Sequence, residues 1–409
     1  MAFGKAFNHF SKIVGLGLLL GSASAGNSLA DAGFKKWIGG FYSVAAKSGI
    51  SKKTYNSVFA GVSEPDELVL ERANFQPEFT SQVWDYLDAR VTKFTIARGQ
   101  ELRIQYKKWF DIIERKYGVD RDILLAIWSI ETIYGEYLTR PNSTHHIGQA
   151  LATLAYKDKR RSKFAREQLI AALKIVQNGD ISADKLRGSW AGAMGHTQFI
   201  PTSYQAWAVD IDGDGRRDVW DTVPDALASS ANLLMKNKWV RGQTWGYEAV
   251  APRGFKKSMI DKSGYKIRDF AKMGFKRPNG KPFGNLNSNA VLKFPGGTNG
   301  PAFLMMKNFY VIKRYNNADK YALAVGHLAD RIAGGGPIIQ QWPRGYVPLD
   351  DDERFEAQKH LARLGFYDGE IDGNIGSGSR KSIKDFQKKV GMKVDGHPSR
   401  EVLDRLRKS

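Results

Sequence analysis

Helical patterning through residues 31 to about 240 constrains the fold of this chain more than any other feature of its sequence. The same patterning returns at residues 321–332. Between these stretches, residues 243–307 are rich in Gly, Pro, Lys and Asn, which indicates a loop-rich or small α/β insertion. The sequence therefore predicts a mainly α fold that carries one insertion.

The sequence beyond the last helical stretch predicts a linker and a separate small unit. Three consecutive glycines at residues 334–336, followed by Pro337, Pro343 and Pro348, are typical of a linker, which we place at residues 336–349. Residues 350–409 then form a compact pattern with helices at about 351–363, 379–390 and 399–407. A chain of 409 residues has room for this second unit beside a larger one at residues 26–335.

The first 25 residues have the pattern of a signal peptide. Lys5 and Lys12 form a basic N-terminal region, and residues 13–20 (IVGLGLLL) form a short apolar stretch. Residues 23–25 (ASA) match a small-residue cleavage site. Eight apolar residues are too few to span a bilayer. The pattern predicts export to the periplasm; the alternative is a buried N-terminal helix.

Charge and cysteine content narrow the binding partners and the means of stabilisation. The net charge of +20 predicts attraction to polyanions. No helix-turn-helix, RNP or zinc-finger pattern is present, so nucleic acid is not expected; anionic cell-wall glycan is the favoured partner, with peripheral membrane association as the alternative. Because the chain has no cysteine, it has no disulfide. Protein partners and oligomeric state are not specified by these patterns.

One acidic residue lies within a strongly helical segment and is the candidate catalyst. Asp120 is placed as the N-cap of this helix, and Leu124, Ile127, Glu131 and Tyr134 follow 3, 4 and 3 spacing, which predicts one shared face. Apolar surroundings favour the neutral form of a carboxyl group, and a neutral acid can protonate a glycosidic oxygen. The alternative is a glutamate that reaches solvent at the helix end or pairs with an arginine.

A second motif, residues 189–204, combines small residues with sugar-compatible polar ones. Two alanines and two glycines within residues 191–195 allow backbone to approach a ligand closely. Gln198 carries both a donor and an acceptor, as recognition of an N-acetyl group requires. The alternative is a tight packing turn between two helices.

The twelve residues from Asp210 match the EF-hand calcium loop. Acids stand at positions 1, 3, 5 and 9 and glycine at position 6, while Arg216 offers its carbonyl at position 7. Position 12 is Asp221, which is shorter than the usual bidentate glutamate. The pattern predicts a structural Ca²⁺ site with Asp210, Asp212, Asp214, Arg216 and Asp221 as candidate ligands, and no organic cofactor; the alternative is a solvated acidic turn.

Several motifs together resemble the membrane-bound lytic murein transglycosylase B family, a lysozyme-like branch, over most of residues 31–335. They are residues 131–135 (ETIYG), 192–195 (GAMG), 198–201 (QFIP), the loop from Asp210, 231–232 (AN), 308–310 (NFY) and 315–317 (YNN). The resemblance implies a lysozyme-like core, Glu131 as catalytic acid and base, and Asp225 as a further metal ligand. It also implies a glycan cleft lined by Ser189, Gln198, Tyr315, Tyr321 and Tyr86. Without the resemblance, Asp225 fits a capping box with Thr222.

The resemblance implies cleavage without water at the bond between N-acetylmuramic acid and N-acetylglucosamine. A single acid fits this chemistry, since two-carboxylate glycosidases need a partner that neither motif supplies. Glu136, the nearest acid, lies about 140° around a continuous helix from Glu131 and is rejected. A hydrolytic muramidase and a non-catalytic wall-binding scaffold are the alternatives. Exo- or endo-action and peptide preference stay open.

Residues 350–409 resemble the three-helix peptidoglycan-binding domain of cell-wall hydrolases. The resemblance is carried by residues 364–373 (LGFYDGEIDG), Phe386-Gln387 and residues 394–396 (VDG). Glycines there allow tight turns, and the neighbouring aspartates can form Asx-turns. A generic three-helix bundle is the alternative, and no contact residue can be assigned.

Overall fold

The computed structural model describes residues 31–74 and 82–409, so the expected signal peptide at residues 1–25 lies outside the described residues. The described chain forms two compact units. The helical unit comprises residues 31–74 and 102–238, and the sheet unit comprises residues 82–101 and 239–409. The predicted mainly α fold is confirmed.

Within the described ranges there are seventeen α-helices: α1 Ala32–Lys47, α2 Lys52–Val58, α3 Glu67–Asn74, α4 Val83–Asp88, α5 Lys93–Gln105, α6 Lys107–Tyr117, α7 Arg121–Thr132, α8 Ile147–Lys157, α9 Ser162–Gln177, α10 Pro201–Trp207, α11 Val223–Lys236, α12 Ile267–Lys272, α13 Lys307–Ile312, α14 Asp319–Ile332, α15 Asp351–Arg363, α16 Ser377–Lys389 and α17 Arg400–Arg407. The strands are β1 His145–His146, β2 Arg187–Gly188, β3 Gly246–Ala249, β4 Tyr265–Lys266, β5 Asn289–Lys293 and β6 Ala302–Met306. Short 3-10 helices cover Glu136–Thr139 and Lys257–Met259. None of the helices in residues 31–74 and 82–409 is both long and apolar enough to cross a bilayer.

Helix α7 is the centre of the helical unit and differs from its prediction in two respects. Every residue from Ile123 to Thr132 is buried, so the helix is covered on all sides and not only on the face that Leu124, Ile127 and Glu131 share. Tyr134 lies beyond the end of the helix rather than on its face. Asp120 occupies the N-cap position as expected, but its side chain makes no capping hydrogen bond.

The predicted insertion at residues 243–307 contains a four-stranded antiparallel sheet in the order β3-β6-β5-β4. All five residues of the central strand β6 are buried, because both faces of the sheet are covered there. Along β5, Ala290 and Leu292 alternate with more exposed residues and pack, together with Phe270 of α12, in an apolar cluster on one face. The other face of β5 carries Asn289, Val291 and Lys293, which are less buried.

The C-terminal three helices form as predicted, within two residues of the expected bounds. Asp350 and Glu353 close a reciprocal capping box at the start of α15, which fixes where that helix begins. Leu361, Ile383 and Leu403, one from each helix, meet in a small apolar core. The sequence therefore specified these helices through local signals.

The segment at residues 336–349 has no helix or strand, as a linker should, yet it is fixed within the sheet unit. The backbone N–H groups of Ile339 and Gln340 donate to the carboxylate of Glu248 at 3.0 and 2.7 Å. Arg344 forms a two-pronged ion pair with Asp88 of α4, one prong at 2.9 Å. These contacts hold the segment in one path instead of leaving it free.

Candidate active site and metal loop

Glu131 lies in the last turn of α7 and is only 3% exposed. The helix ends at Thr132, and the next three residues, Ile133, Tyr134 and Gly135, all have positive φ (52°, 57° and 93°). A left-handed conformation is uncommon for a β-branched residue such as Ile133 and persists only where the surroundings impose it. Strain of this kind concentrates at functional sites, and here it turns the chain sharply just after the glutamate.

His196 fastens the end of α7 to the motif at residues 189–204. Trp128 donates from Nε1 to His196 Nδ1 at 3.1 Å, and Thr132 donates from Oγ1 to the His196 carbonyl at 2.6 Å. A Cβ on Gly135 would lie 2.6 Å from the imidazole ring, so only glycine fits. Burial lowers the pKa of His196, which keeps the ring neutral at pH 7 and lets Nδ1 accept.

The role of His196 was missed at the sequence level, although the residue stands inside a quoted motif. The only signal for it in the sequence was a histidine directly after the small residues of the motif at residues 192–195. Only the packing against Gly135 and the bonds from Trp128 and Thr132 reveal what it does. His196 contacts the helix end that carries Glu131 and not Glu131 itself, so its position fits a positioning residue.

Ser189 and Gln198 lie in one loop of the helical unit, residues 188–200, which we call the 188–200 loop. Ser189 Oγ accepts from the Ala193 N–H at 3.0 Å, and the Ser189 N–H donates to the Ala193 carbonyl at 2.7 Å. Gln198 has a φ of 52°, and its side-chain amide donates to the Gly195 carbonyl at 2.9 Å. Both predicted sugar contacts therefore also shape the loop that presents them.

The three aspartates that open the EF-hand-like segment converge. Asp210, Asp212 and Asp214 each place a carboxylate oxygen within 4.8 Å of the others. The N–H groups of Gly213 and Gly215 donate to the two oxygens of Asp210 at 2.6 and 2.9 Å. This donor set of hard oxygens fits a Ca²⁺ ion. We call residues 210–221 the metal loop.

Arg216 contributes to the metal loop in two ways. Its guanidinium pairs with Asp214 at 3.2 Å, and its N–H donates to the same carboxylate at 2.8 Å. The side chain is more than half exposed, so this ion pair is a weak stabiliser. Its carbonyl is the group expected at position 7 of such a loop.

Asp225 braces the metal loop from below and does not form the alternative capping box. Its carboxylate is fully buried and accepts from the N–H groups of Ile211 and Asp218 at 2.8 and 2.9 Å. Thr222 stands at the N-cap of α11 without a side-chain capping bond. Burial raises the pKa of Asp225 to about 6; the two backbone donors oppose this, and the negative charges of Asp210 and Asp212 add to it.

Asp221 is placed differently from Asp225. Its side chain is 66% exposed and its nearest cation is Lys185 Nζ, at 3.5 Å. It is not part of the converging group of Asp210, Asp212 and Asp214. Of the two candidates for the last ligand, Asp225 is the buried one, and it binds two backbone N–H groups of the loop, those of Ile211 and Asp218.

The metal loop contacts the 188–200 loop directly. The carbonyl of Val219 accepts from the His196 N–H at 2.9 Å. A Cβ on Gly195 would lie 2.1 Å from that same carbonyl, so the two backbones touch. Any disorder in the metal loop would therefore reach the residue that positions the end of α7.

The three predicted tyrosine contacts belong to the sheet unit, whereas Glu131 belongs to the helical unit. Tyr86 is 6% exposed, and its ring lies between Arg90, 4.0 Å from the ring centre, and Lys320, 5.4 Å from it. Tyr321 is 2% exposed on α14. Tyr315, in the turn between α13 and α14, keeps the most accessible surface of the three.

Comparison with known proteins yields consistent relatives. Residues 33–330 match the Transglycosylase SLT domain family, and residues 350–406 match a peptidoglycan binding domain family. A stretch of 248 residues is 32% identical to the membrane-bound lytic murein transglycosylase B of Escherichia coli strain K12. That match covers 59% of this chain and 65% of the relative, which is just under two thirds of its length.

Solved structures give the same picture. The crystal structure of SltB3 from Pseudomonas aeruginosa, in complex with NAG-anhNAM-pentapeptide, is 43% identical with a TM-score of 0.72 and covers 91% of this chain and 99% of its own. The Escherichia coli lytic transglycosylase Slt35, in complex with calcium, is 27% identical with a TM-score of 0.60, covering 74% of this chain and 93% of its own.

Proposed function

Because this chain belongs to the transglycosylase SLT family, we propose that it is an exported lytic transglycosylase that cleaves the glycan strands of peptidoglycan. The observation that carries the proposal is Glu131, buried at the strained end of α7 and held there through His196. The proposed bond is the β-1,4 link from N-acetylmuramic acid to N-acetylglucosamine.

The first step is protonation of the leaving oxygen. Glu131 donates its proton to the glycosidic oxygen, and the bond from that oxygen to C1 of the muramic acid breaks. The N-acetyl oxygen of the same sugar stabilises the positive charge that develops at C1. Substrate assistance of this kind needs no second carboxylate, which agrees with the absence of one in the motifs at residues 131–135 and 189–204.

The second step closes a ring within the muramic acid. The Glu131 carboxylate accepts the proton of the C6 hydroxyl, and that oxygen bonds to C1, which restores Glu131 and leaves a 1,6-anhydro end. Water is not consumed. A tethered hydroxyl can have an effective concentration of about 10⁵ M or more, so ring closure outcompetes attack by water.

Glu136 is a poor partner for Glu131 for a reason that the sequence did not give. The helix ends at Thr132, so an angle measured around a continuous helix does not apply. Glu136 instead stands in the 3-10 segment beyond the left-handed turn and is exposed. Its carboxylate therefore lies outside the buried end of α7 that holds Glu131.

The test replaces Glu131 by Gln. We expect Glu131→Gln to keep the melting temperature and sacculus binding while the cleavage rate falls about a thousandfold or more, because the amide has no acidic proton. The matched control, Glu136→Gln, should cleave at the parental rate. Mass spectrometry of parental digests should show muropeptides about 18 Da lighter than hydrolysis products, since ring closure replaces the attack of water.

Each rival predicts a different outcome of that experiment. Reducing N-acetylmuramic acid ends in the digest would identify a hydrolytic muramidase, which would require a second catalytic carboxylate. Binding of sacculi with no cleavage by the parental protein would identify a scaffold. An active Glu131→Gln variant would remove Glu131 from the chemistry altogether.

The metal loop supports a structural Ca²⁺ site in this proposal. Asp210, Asp212 and Asp214 would supply carboxylates, Arg216 its carbonyl, and Asp225, rather than Asp221, the last ligand. A bound cation would offset the mutual repulsion of these acids. Since Val219 at the end of the loop holds His196, the proposed site stabilises the region that positions Glu131 and takes no part in the reaction.

The remaining assignments concern substrate contact, targeting and location. We infer that Ser189, Gln198 and Tyr315 contact sugar, whereas the near-complete burial of Tyr86 and Tyr321 limits them to contact through a ring edge or hydroxyl. Residues 350–409 would bind the cell wall and residues 336–349 would join them to the catalytic region. The apolar stretch at residues 13–20 supports export to the periplasm.

A further inference from the structure

A cavity of about 570 Å³ lies on the sheet unit, and no part of the proposed reaction uses it. Lys266 of β4, Asn289 of β5 and Lys307 at the start of α13 line it together with Gln243, Met305 and Tyr310. All of these residues belong to residues 239–409. We call this cavity the sheet pocket.

The strand register explains why charged residues gather there. Lys266 pairs directly with Asn289, and Met306, which precedes Lys307, pairs with Ala290. Paired residues in antiparallel strands point to the same side, and neighbours along a strand alternate. Ala290 and Met306 pack in the apolar cluster on one side of the sheet, so Lys266 and Asn289 point to the other side.

The two lysines of the sheet pocket differ from the nearby Lys293 in how their charges are balanced. Lys293 Nζ lies 2.8 Å from Asp261 and 2.8 Å from Asp319, which neutralise it. Within the described residues, neither Lys266 Nζ nor Lys307 Nζ forms an ion pair, although the carboxylate of Asp269 accepts from the backbone N–H of Lys266 at 2.8 Å. The pocket is therefore lined by two lysines whose ammonium groups make no ion pair of their own.

The wall of the sheet pocket also contains an unsatisfied amide. Gln243 Nε2 donates to Ser288 Oγ at 2.9 Å, but the buried Oε1 has no partner in the described structure. If the amide is flipped, Oε1 accepts from Ser288 and Nε2 lacks a hydrogen-bond partner instead, so one polar atom of Gln243 is unpaired in either orientation. A buried acceptor of this kind costs free energy unless a ligand supplies a donor.

The apolar part of the pocket limits the size of what it can hold. Met305 is fully buried and Val291 is half-buried, and both point to the same side of the sheet as Asn289. Tyr310 adds a half-buried aromatic ring. A ligand that matches this lining has a carboxylate, an N–H donor and small apolar side chains.

We propose that the sheet pocket binds a short peptide that ends in a free carboxylate, as the peptide arms of peptidoglycan do. Lys266 and Lys307 line the same cavity as Gln243, whose amide oxygen has no partner in the described structure, and as the buried Met305; this combination carries the assignment. It rests on the proposed function for the source of the peptide. The sheet pocket would then recognise the peptide arm separately from the glycan contacts of the helical unit.

The test measures direct binding, so that it does not depend on cleavage. Full-length Glu131→Gln protein is titrated calorimetrically with three probes: a muramyl pentapeptide with a free C-terminal carboxylate, the same peptide as its C-terminal amide, and the peptide-free disaccharide. We expect the free acid to bind about tenfold more tightly than the amide, since charge-assisted hydrogen bonds discriminate at this level.

Variants then assign the effect to the pocket. The double variant Lys266→Gln/Lys307→Gln should lose that tenfold preference and bind the disaccharide as before, while Lys272→Gln, an exposed lysine of α12, should leave all three affinities unchanged. Gln243→Leu should weaken acid and amide alike. Both lysines lack ion pairs, so melting temperatures should not change.

Other outcomes overturn the inference. If the double variant keeps the preference for the free acid, the sheet pocket is not the binding site. If inorganic phosphate competes as well as the peptide acid, the pocket is a general anion site. Loss of cleavage in the parental enzyme with the preference retained would refute the proposed function and leave the peptide site standing.

Discussion

The metal loop and the two Asp-Gly turns of the C-terminal helices look alike in the sequence and differ in the structure. The metal loop carries Asp210-Ile211-Asp212-Gly213, and the C-terminal helices are joined by residues 368–374 (DGEIDGN) and 394–396 (VDG). In the metal loop, three carboxylates lie within 4.8 Å of one another. In the C-terminal segments, the equivalent aspartates each meet the amide of a buried glutamine.

Two buried glutamines, Gln358 and Gln387, make the same pair of hydrogen bonds to an Asp-Gly turn. Gln358 donates to Asp372 at 3.1 Å and accepts from the Gly373 N–H at 2.6 Å. Gln387 donates to Asp395 at 2.9 Å and accepts from the Gly396 N–H at 2.8 Å. An uncharged side chain from the preceding helix thus satisfies each Asp-Gly turn from within the chain.

The pKa values of Asp225 and Asp395 also differ in direction. Burial, together with neighbouring carboxylates, raises the pKa of Asp225 beneath the metal loop to about 6. Burial also raises that of Asp395, but the hydrogen bond from Gln387 and the N–H of His397 outweigh it and hold the pKa below its ordinary value. The convergence of carboxylates, rather than the Asp-Gly content, therefore distinguishes the metal loop from the C-terminal turns.

The largest expected effect of breaking this comparison is at Gln358. Gln358→Leu should destabilise the three C-terminal helices by about 3 kcal/mol, because it removes the hydrogen bonds that Gln358 makes with Asp372, Gly373 and Asn374, each contributing about 1 kcal/mol. Urea unfolding should show a separate early transition, and sacculus binding should fall with it. Asp368→Ala, which removes an exposed aspartate before Gly369, should stay within about 0.5 kcal/mol of the parent. Equal stability of the two variants would show that Gln358 is not the turn's main support.

The metal loop should respond to calcium and the C-terminal segments should not. At a hundredfold excess over Kd, Ca²⁺ should add roughly 2.7 kcal/mol of stability, and chelation should remove it. Asp210→Ala and Asp214→Ala should abolish this response because each deletes a carboxylate ligand. Thermal melts with and without chelator measure it, with Asp368→Ala as the control that keeps the full response. Identical melts of the parental protein in both conditions would refute the site.

The last ligand can be assigned in the same assay. Asp225→Asn should reduce the calcium response, since this residue is buried and accepts from the N–H groups of Ile211 and Asp218 in the metal loop. Asp221→Asn should leave the response unchanged, because its side chain faces solvent. The reverse result would make Asp221 the ligand and Asp225 a purely internal brace.

The smallest effect is a pH dependence at Asp395. Its lowered pKa means that the charged form stabilises the folded state above the unfolded pKa, and that this stabilisation is lost as pH falls through the folded pKa. Asp395→Asn should therefore cost about 1 kcal/mol at pH 7 and less near pH 3. Urea titrations at both pH values test this; a cost that does not change with pH would assign the role to shape rather than charge. Lys393 Nζ and the imidazole of His397 lie 4.0 and 3.5 Å from this carboxylate.

Local signals in the sequence determined the candidate catalyst, the turns of the metal loop and the three C-terminal helices. The spacing of Asp210, Asp212 and Asp214 dictates their convergence, since the ligands lie within five residues of each other. The helices at residues 350–409 are bounded by capping residues and glycines that act within one turn. Such features need no knowledge of distant contacts.

Only the tertiary structure decided how these parts are held. The left-handed conformation of Ile133 and Tyr134 depends on contacts with residues distant in the sequence. The hydrogen bonds to His196 and the pairing of Lys266 with Asn289 each join positions more than twenty residues apart. The segment at residues 336–349 has the composition of a free linker, yet Asp88, more than 250 residues from Arg344, fixes it. Local composition sets what a backbone can do, and long-range packing selects which of those conformations it keeps.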